Sequence, residues 1–300
     1  MNTAVIRQDL LAEAIARLPD NGLRALRASA LAEFAKQGLP GTAEEDWRYT
    51  SLQPAVALSN AWLASQPGLM LPSDSPGAHF PEQAAETAIN AHWLRFLNGR
   101  FAGGATSDLK SIRIDRQHAD DRALVTGDGL SSLNAALLQD ATHIVVPAGE
   151  TLSRPIGLVL ANDASGNASV ATSRIVFEVG PGAQLDVIEN HLSLSAAPSF
   201  ANVVIELRLA RGAQVRYLRL QECGESQILI GRLQISGGQD ALLRYTSIDL
   251  GGALVVRSLV VGSSGEPHTL LLAKRWGGSS PLTTIASLKL HGFWGTSMTA

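Results

Sequence analysis

The feature that most constrains the fold is a repeat of thirty residues in the middle of the chain. The segment IVFEVGPGAQLDVI (175–188) aligns with IELRLARGAQVRYL (205–218), and the Gly-Ala-Gln tripeptide is identical in both. Apolar positions also coincide: Ile175 with Ile205, Phe177 with Leu207, Val179 with Leu209, and Leu185 with Val215. A weaker third copy (233–248) places Leu243 and Tyr245 twenty-eight residues after Val215 and Tyr217. Such a period predicts stacked units, each burying a face on the next.

Short apolar runs bounded by Gly, Asn or Pro surround the repeat and predict strands. They are HIVV (143–146), IGLVL (156–160), RIVFEV (174–179) and NVVIELRL (202–209). Alternation alone fits an antiparallel sandwich as well as a parallel β-helix, because both present one buried face per strand. The repeat favours the solenoid, so we predict a mainly β chain with a parallel β-helix core at 91–255.

The N-terminal part predicts helices. Residues 8–37 carry apolar side chains at helical spacing, with a break at 19–22, which indicates a helical hairpin. Residues 42–45 (TAEE) have the form of a capping box, which predicts a short helix through Trp47 and Tyr49 that ends before Pro54. Residues 54–90 show no sustained period and predict a loose connection. We therefore divide the chain into a helical region with a linker (1–90), the β-helix core (91–255) and an atypical tail (256–300).

Composition excludes several classes of partner. The formal net charge is −3, and no dense Lys/Arg run is present, which argues against nucleic-acid binding. Arg7, Asp9 and Glu13 interrupt the N-terminal apolar positions, so no secretory signal is predicted. No apolar run approaches the length of a membrane span. We expect a cytoplasmic protein that binds neither nucleic acid nor membrane.

Motifs of catalysis are missing from the sequence. It contains no GxxxxGK[ST] phosphate loop, GxGxxG, HExxH, CxxC or GxSxG, so we expect neither ATP hydrolysis nor metallohydrolase activity. The histidines are isolated in sequence, which favours surface or core roles over metal ligation. They are residues 79, 92, 118, 143, 191, 268 and 291. We predict a non-catalytic chain without a metal site.

The single cysteine, Cys223, excludes an internal disulfide and an all-thiolate cluster site within this chain. It follows a predicted strand and precedes Gly224, a turn-like setting in which a thiol could be solvent-accessible. The simpler interpretation is a small adaptable residue at a turn. The alternative is a thiol that passes sulfur or binds iron.

Two features near residue 45 have structural and functional interpretations. Glu44, Glu45 and Asp46 suggest acid–base chemistry, but acids in a first helical turn also complement the helix dipole, and we favour that interpretation. Trp47 and Tyr49 suggest a stacking platform, but aromatics beside a short helix more often pack it onto a neighbouring domain. We predict packing for both aromatics.

The segment GTAEEDWRYTSL (41–52) resembles the acidic-Asp-Trp-Lys/Arg-Tyr-Thr signature of the SufD branch of the SufB/SufD family of iron–sulfur cluster assembly scaffolds. The resemblance continues in family order through LNGRF (97–101), LNAAL (133–137), VPAG (146–149), RPI (154–156) and DLGGALV (249–255). We expect structural roles for the signature residues. They are Glu45, Asp46, Trp47, Arg48, Tyr49, Thr50, Asn98, Gly99, Arg100, Phe101, Gly251 and Gly252.

The resemblance implies a fold and partners. It implies an N-terminal helical region, a right-handed parallel β-helix and a C-terminal helical region, assembled with a SufB paralogue through the β-helix and with SufC ATPase subunits. The nascent cluster forms at the SufB/SufD interface, and ATP hydrolysis belongs to SufC. The resemblance thus implies a scaffold subunit that binds no cofactor by itself.

The tail departs from the family pattern. Where the family continues with a basic and an acidic residue, this chain has Val256-Arg257-Ser258, and only Glu266 of its 27 acidic residues lies beyond residue 250. The family histidine at the nascent cluster and the SufC-docking helices have no matching positions here. We expect that the C-terminal helical region is absent, that the reading frame shifts near residue 256, and that SufC docking and cluster assembly are impaired. The alternative is a divergent end that caps the solenoid.

A competing class is a carbohydrate-active or carbohydrate-binding β-helix protein. Such a protein needs an exposed groove of carboxylates and aromatic side chains along consecutive coils. Only 5% of the residues are aromatic, and no signal peptide is predicted. Both observations favour the assembly scaffold.

Overall fold

The structure is a computed structural model. It describes residues 5–65, 86, 88–104, 109, 111–115, 128–164 and 168–262, and the backbone of 268–276, 282–290 and 296–299. Of the histidines considered above, His79, His118 and His291 lie outside the described residues, and only the backbone of His268 is described. No helix in these ranges is long and apolar enough to cross a membrane.

The predicted helical hairpin is confirmed by α1 (Gln8–Ala16) and α2 (Arg24–Gln37). The next predicted helix is instead one 3-10 turn (Glu45–Trp47), followed by α3 (Gln53–Ala64). The loose connection predicted from residue 54 was therefore wrong up to residue 64. Pro54 lies in the first turn of α3, where a missing backbone N–H breaks no helical hydrogen bond, so it starts this helix.

The capping-box prediction was also wrong. The residue preceding the 3-10 turn is Glu44, and it makes no side-chain hydrogen bond to that turn. Its Oε1 accepts a hydrogen bond from the backbone N–H of Gly41 at 2.9 Å. The Glu44 side chain thus closes the turn that precedes the 3-10 turn.

Beyond residue 91 the chain forms two facing sheets. Sheet A runs in the order β15-β14-β11-β9-β7-β5-β1-β2, and sheet B in the order β13-β12-β10-β8-β6-β4-β3. The strands of sheet A are β1 (His92–Leu97), β2 (Arg100–Gly104), β5 (Ile156–Asn162), β7 (Gln184–Ser193), β9 (Gln214–Glu222), β11 (Ala241–Asp249), β14 (Leu282–Leu290) and β15 (Thr296–Thr299). The strands of sheet B are β3 (Arg113–Asp115), β4 (Thr142–Val146), β6 (Ser169–Val179), β8 (Ser199–Leu209), β10 (Gln227–Gly237), β12 (Leu254–Val261) and β13 (His268–Trp276).

Consecutive strands from β4 to β12 alternate between the sheets and pair in parallel with the strands of the next coil. The result is a parallel β-solenoid of about four turns, which confirms the predicted fold class. The residues that the repeat aligns in sequence are the residues that pair between neighbouring strands of a sheet. The pairs Ile175/Ile205, Phe177/Leu207, Val179/Leu209, Leu185/Val215, Val215/Leu243 and Tyr217/Tyr245 are all direct neighbours.

The repeated Gly-Ala-Gln tripeptide forms the turn from sheet B to sheet A. Gly182 and Gly212 have φ of +67° and +69°, a conformation that favours glycine. Ala183 and Ala213 follow them and are fully buried in the core between the sheets. The turn therefore needs both residues, which explains why the tripeptide recurs.

Helices cover the outer face of sheet B. Val170, Phe200 and Ile230 on that face form one apolar cluster with Leu11 of α1 and Trp62 of α3. A further helix, α4 (Gly129–Ala136), carries the LNAAL segment and lies on the same face. We did not predict α4, because all of its residues are buried and it lacks the one-sided apolar pattern of a surface helix.

Strand β12 crosses the boundary predicted between residues 255 and 256. It pairs in parallel with β10 from Leu254 to Val261 without a break. The following strands pair antiparallel: β13 with β12, β14 with β11, and β15 with β14. The reading-frame shift predicted near residue 256 stays a prediction.

Candidate functional site

The interior face of sheet A changes character along the stack. Side chains alternate between the two faces of a strand, so residues two apart on one strand share the interior. Two interior rows begin with leucine on β5 and become charged or polar on β7, β9 and β11. These rows are Leu158, Glu189, Arg219, Ser247 and Leu160, His191, Gln221, Asp249.

Ion pairs connect this charged network to sheet B. Asp249 Oδ1 lies 2.5 Å from Arg219 Nη1, and Asp249 Oδ2 makes a very short contact with Arg257 Nη1 on β12. Arg219 Nε lies 3.7 Å from Glu189 Oε1. All four side chains are at most 5% exposed. The two carboxylates and two guanidiniums balance in charge, which buried ions require.

Glu189 is the hydrogen-bonding centre of the network. The Tyr217 hydroxyl donates to Glu189 Oε2 at 2.7 Å, and His191 Nε2 makes a very short contact with Glu189 Oε1. Burial would raise the pKa of Glu189, but His191, Arg219 and Tyr217 outweigh it and hold that pKa below its usual value. Burial lowers the pKa of His191, so its ring is neutral near pH 7 and Nε2–H donates to the carboxylate.

Cys223 ends the polar stretch and is buried, with 3% exposure. The solvent access that the sulfur-transfer alternative needs is therefore absent. Burial raises the pKa of the thiol to about 12, although a hydrogen bond with Gln221 acts in the opposite direction. The thiolate is the form that attacks sulfur or binds metal, and this environment keeps the thiol protonated. The geometry favours the interpretation of Cys223 as a small packed residue.

The Gly251-Gly252 pair closes the network next to Cys223. A Cβ on Gly251 would lie 2.0 Å from the carbonyl oxygen of Cys223. Gly252 has φ +93°, and a Cβ there would lie 2.6 Å from Val255 Cγ2. Gln221 Oε1 accepts hydrogen bonds from the backbone N–H groups of Leu250 and Gly251 at 3.1 and 3.2 Å. Both glycines are therefore needed for this close approach.

The LNGRF segment forms the hairpin that begins the solenoid. Asn98 and Gly99 have φ of +48° and +84° and make a two-residue turn between β1 and β2, as Asn-Gly favours. The Asn98 side chain donates to the Asp163 carbonyl and accepts from its N–H, both at 2.9 Å. Arg100 begins β2, and Phe101 packs edge-to-face on Phe96 with ring centroids 5.6 Å apart.

The 45–50 segment lies away from the network, at the N-terminal helices. Trp47 and Thr50 are buried, and Glu45, Asp46 and Arg48 are exposed. Tyr49 is 86% exposed, with the Arg48 guanidinium 5.8 Å from its ring centroid. Packing is thus confirmed for Trp47 and wrong for Tyr49. Residues two apart do not share a face of a helical turn, so burial of Trp47 directs Tyr49 outward.

The predicted residues therefore form three separate groups, and the network residues were missed. Their sequence signal was nevertheless present: Glu189, Arg219 and Asp249 alternate in charge at the thirty-residue offset. Among the residues that the structure describes, no cluster of three or more His, Cys, Asp and Glu could hold a metal ion. The network contains no activated nucleophile, so its evident chemical role is to lock three coils together.

Comparisons with known proteins fit this architecture. Residues 160–273 match the family described as "SUF system FeS cluster assembly, SufBD core domain", a range that contains the whole charged network. This match continues beyond residue 255, where the motif resemblance ended.

Two curated relatives align over most of the chain. It is 25% identical over 248 residues to the iron-sulfur cluster assembly protein SufD of Escherichia coli, covering 80% of this chain and 56% of that protein. It is 24% identical over 253 residues to an iron-sulfur cluster assembly SufBD family protein of Synechocystis, covering 76% and 54%. The chain thus spans about half the length of these relatives. Residues 160–273 are thus similar to the SufBD core domain, and most of the chain is similar to proteins of the SufB/SufD family.

Proposed function

We propose that this chain is a SufD-like scaffold subunit that assembles with a SufB paralogue and SufC ATPase subunits during iron–sulfur cluster assembly. The observation that carries the proposal is the position of the family match. Residues 160–273 are the coils from the last part of β5 to β13, so the matched part is the solenoid. A scaffold role agrees with a network that joins coils and offers no reactive side chain.

The SufB paralogue is proposed to bind through the β-helix. Among the described strands, β13 and β15 end the two sheets and each has a neighbour on one side. A strand edge of this kind offers free backbone N–H and C=O groups that pair with a strand of another chain. β2 and β3 end the two sheets on the opposite side, so the edges at either end of the solenoid could receive a partner strand.

Catalysis is assigned to the partner. The sequence has no phosphate loop, so ATP hydrolysis is expected in SufC. The nascent cluster is cargo of the assembled complex, and we assign no cluster ligand and no resident cofactor to this chain. A cytoplasmic location follows from the same role.

SufC docking and cluster assembly are proposed to be weak in this chain. Beyond residue 250 the only acidic residue is Glu266, and this acid-poor composition supports a departure from the family pattern in that segment. Stoichiometric SufC in the purified complex would contradict this part of the proposal alone.

The test is co-expression of the tagged chain with a SufB paralogue and SufC, followed by size-exclusion chromatography with light scattering. We expect the SufB paralogue to co-purify at a fixed ratio, with SufC below stoichiometry. An unrelated tagged β-solenoid protein of similar size is the control for nonspecific association through exposed strand edges. Failure to retain the SufB paralogue would overturn the proposed function.

A polysaccharide-binding screen separates the competing carbohydrate class. That class requires exposed aromatic side chains along the coils. In the described residues, Tyr49 is the one large aromatic side chain classed as exposed, and it lies outside the solenoid. We expect no binding, and selective binding of a polysaccharide to the solenoid would favour the carbohydrate class.

A further inference from the structure

An open groove lies between the N-terminal helices, on a part of the molecule that the proposed function does not use. It has a volume of about 620 Å³ and is bordered by the start of α1, the end of α2 and the start of α3. Its lining includes the apolar side chains of Ile6, Phe34, Leu39, Leu52 and Val56. The groove is therefore large enough for several apolar side chains of a ligand.

The end of α2 shapes one wall of this groove. Gly38 follows the helix with φ +64°, and its N–H donates to the Phe34 carbonyl at 2.8 Å. With ψ at −169°, this glycine conformation turns the chain away from the helix axis. Leu39, Pro40 and Gly41 then continue along the wall. A backbone ending of this type makes the groove a preformed feature of the fold.

One exposed apolar residue lines the groove, and an exposed aromatic residue lies close to one of its residues in the chain. Val5 lines it and is 72% exposed. Tyr49 is 86% exposed, carries the Arg48 guanidinium over its ring, and precedes the groove residue Ser51 by two positions. Tyrosine and arginine are enriched among the residues that dominate binding at protein interfaces. Exposed side chains of these types beside an apolar groove indicate a docking surface.

The charge at the rim is acidic. Arg7 pairs with Asp9 at 2.5 Å, and Lys36 pairs with Glu33 at 2.7 Å, so these four charges balance. The exposed segment that follows the groove residue Thr42 adds the carboxylate of Glu44, which accepts a hydrogen bond from the groove residue Gly41, and the carboxylate of Glu45 next to it. Arg48 follows in the same segment, whereas Asp46 lies at a separate pocket with Asp128 and Arg232. The unbalanced charge at this rim is negative.

We propose that this groove binds a basic amphipathic helix of a partner protein. Its apolar face would fill the groove, and its Lys or Arg side chains would lie over Glu44 and Glu45, as in other helix-in-groove complexes. A second copy of the chain would bring one acidic rim against another, and an anionic membrane surface would be repelled. A small-molecule site would require converging polar groups, whereas the polar lining is mainly glutamine side chains, Lys36 and Thr42.

The test uses the full chain and a labelled model peptide of about 18 residues, with leucine on one face and lysine on the other. A peptide with glutamate in place of each lysine is the matched probe. Fluorescence anisotropy should show binding of the lysine peptide and at least about tenfold weaker binding of the glutamate peptide. Equal binding of both peptides would overturn the charge argument and the proposal.

Two exposed sites give variants that leave the fold intact. Tyr49→Ala should weaken binding of the lysine peptide about tenfold, because it removes the aromatic anchor. Glu45→Lys should weaken it several-fold at about 0.1 M salt and much less at about 1 M salt. Leu250→Ala and Glu225→Lys are the matched controls on the solenoid, where both residues are exposed, and neither should change binding.

A photo-reactive leucine in the lysine peptide locates the contact. We expect crosslinks to the walls of the groove, between residues 34–42 and 51–56, and crosslinks confined to the solenoid would overturn the proposal. So would a dimer of the free chain that Tyr49→Ala dissociates, because a second copy would then occupy the groove. Retention of the SufB paralogue should be unchanged by Tyr49→Ala, so this test and that of the proposed function fail independently.

Discussion

The first coil of the solenoid fills the interior side of sheet A with apolar side chains, whereas the later coils also bury charged ones there. On β5 the interior positions of sheet A are Ile156, Leu158 and Leu160, all of which are at most 3% exposed. The same rows on β9 and β11 contain Arg219 and Asp249, which are buried to a similar degree. The coil therefore dictates where an interior side chain points, and the sequence decides whether burial is apolar or ionic.

The apolar and ionic rows should respond differently to a substitution. Truncating an apolar side chain removes the free energy of burying the deleted atoms, about 25 cal/mol per Å², and adds the cost of a cavity. A buried ionic row loses more when one member is removed, because the remaining charge stays in a dry interior. The charged coils should therefore be the more vulnerable half of this interior.

The largest effect should come from Asp249→Asn. This change keeps the shape of the side chain but leaves Arg219 and Arg257 without their shared carboxylate. We expect the free energy of unfolding to fall by about 4 kcal/mol, measured by urea denaturation followed by circular dichroism.

The control for that variant is Asp186→Asn, which breaks the pair with Arg216 on the outer face of sheet A. Arg216 is 71% exposed, so the loss should be much smaller than that of Asp249→Asn. Equal losses for the two aspartates would show that the interior network behaves like a surface pair, and the contrast between the coils would disappear.

The apolar coil is tested by Leu158→Ala. It removes a fully buried side chain next to Glu189 in the register, and we expect a loss of about 3 kcal/mol. No charge is removed, so this loss should be the same at pH 7 and pH 5. A loss that grows on acidification would mean that the leucine supports the charged network instead of a separate apolar row.

The pH dependence of stability distinguishes the coils further. The pKa of His191 is lowered in the folded state by burial, so below its unfolded value near 6.5 the unfolded chain takes up a proton that the folded chain does not. The lowered pKa of Glu189 acts in the same direction at lower pH, since its stabilising charge is lost as pH falls through the folded pKa. Acid should thus destabilise the network.

His191→Gln isolates the histidine contribution, because the glutamine Nε2 can still donate to Glu189. Between about pH 6.5 and the folded pKa, the slope of unfolding free energy against pH should decrease by up to about 1.4 kcal/mol per pH unit. His143→Gln is the comparison for a histidine outside the network. His143 lies on the outer face of sheet B, and burial and Arg208 lower its pKa as well. An unchanged slope in His191→Gln would mean that His191 is protonated in the folded chain.

The register of the solenoid could be predicted from sequence because apolar side chains stack on apolar side chains at the corresponding positions of the next coil. Ile175 on Ile205 and Tyr217 on Tyr245 follow directly from the offset. The same offset pairs Glu189 with Arg219, but a charge in a sequence does not reveal whether it faces water or the interior.

Other features depended on tertiary context. Arg257 was taken as a departure from the family pattern, yet its guanidinium completes the ion pair of Asp249 from the opposite sheet. Helix α4 has no polar face because neighbours surround it on every side. Tyr49 was assigned to packing because an aromatic side chain is usually buried, and only the position of Trp47 shows that Tyr49 must point outward.

The smallest expected effect on stability concerns Cys223, whose thiol reactivity can also be measured directly. Cys223→Ala should cost less than about 1 kcal/mol, because it removes one small atom group and no charge. The thiol itself, with its pKa raised to about 12, should react with a disulfide reagent at pH 8 about a thousandfold more slowly in the folded chain than in denaturant. Ellman's reagent measures both rates, and the alanine variant gives the blank. Rapid reaction of the folded chain would mean that the Gly251-Gly252 turn opens in solution, and it would restore Cys223 as a candidate for sulfur transfer.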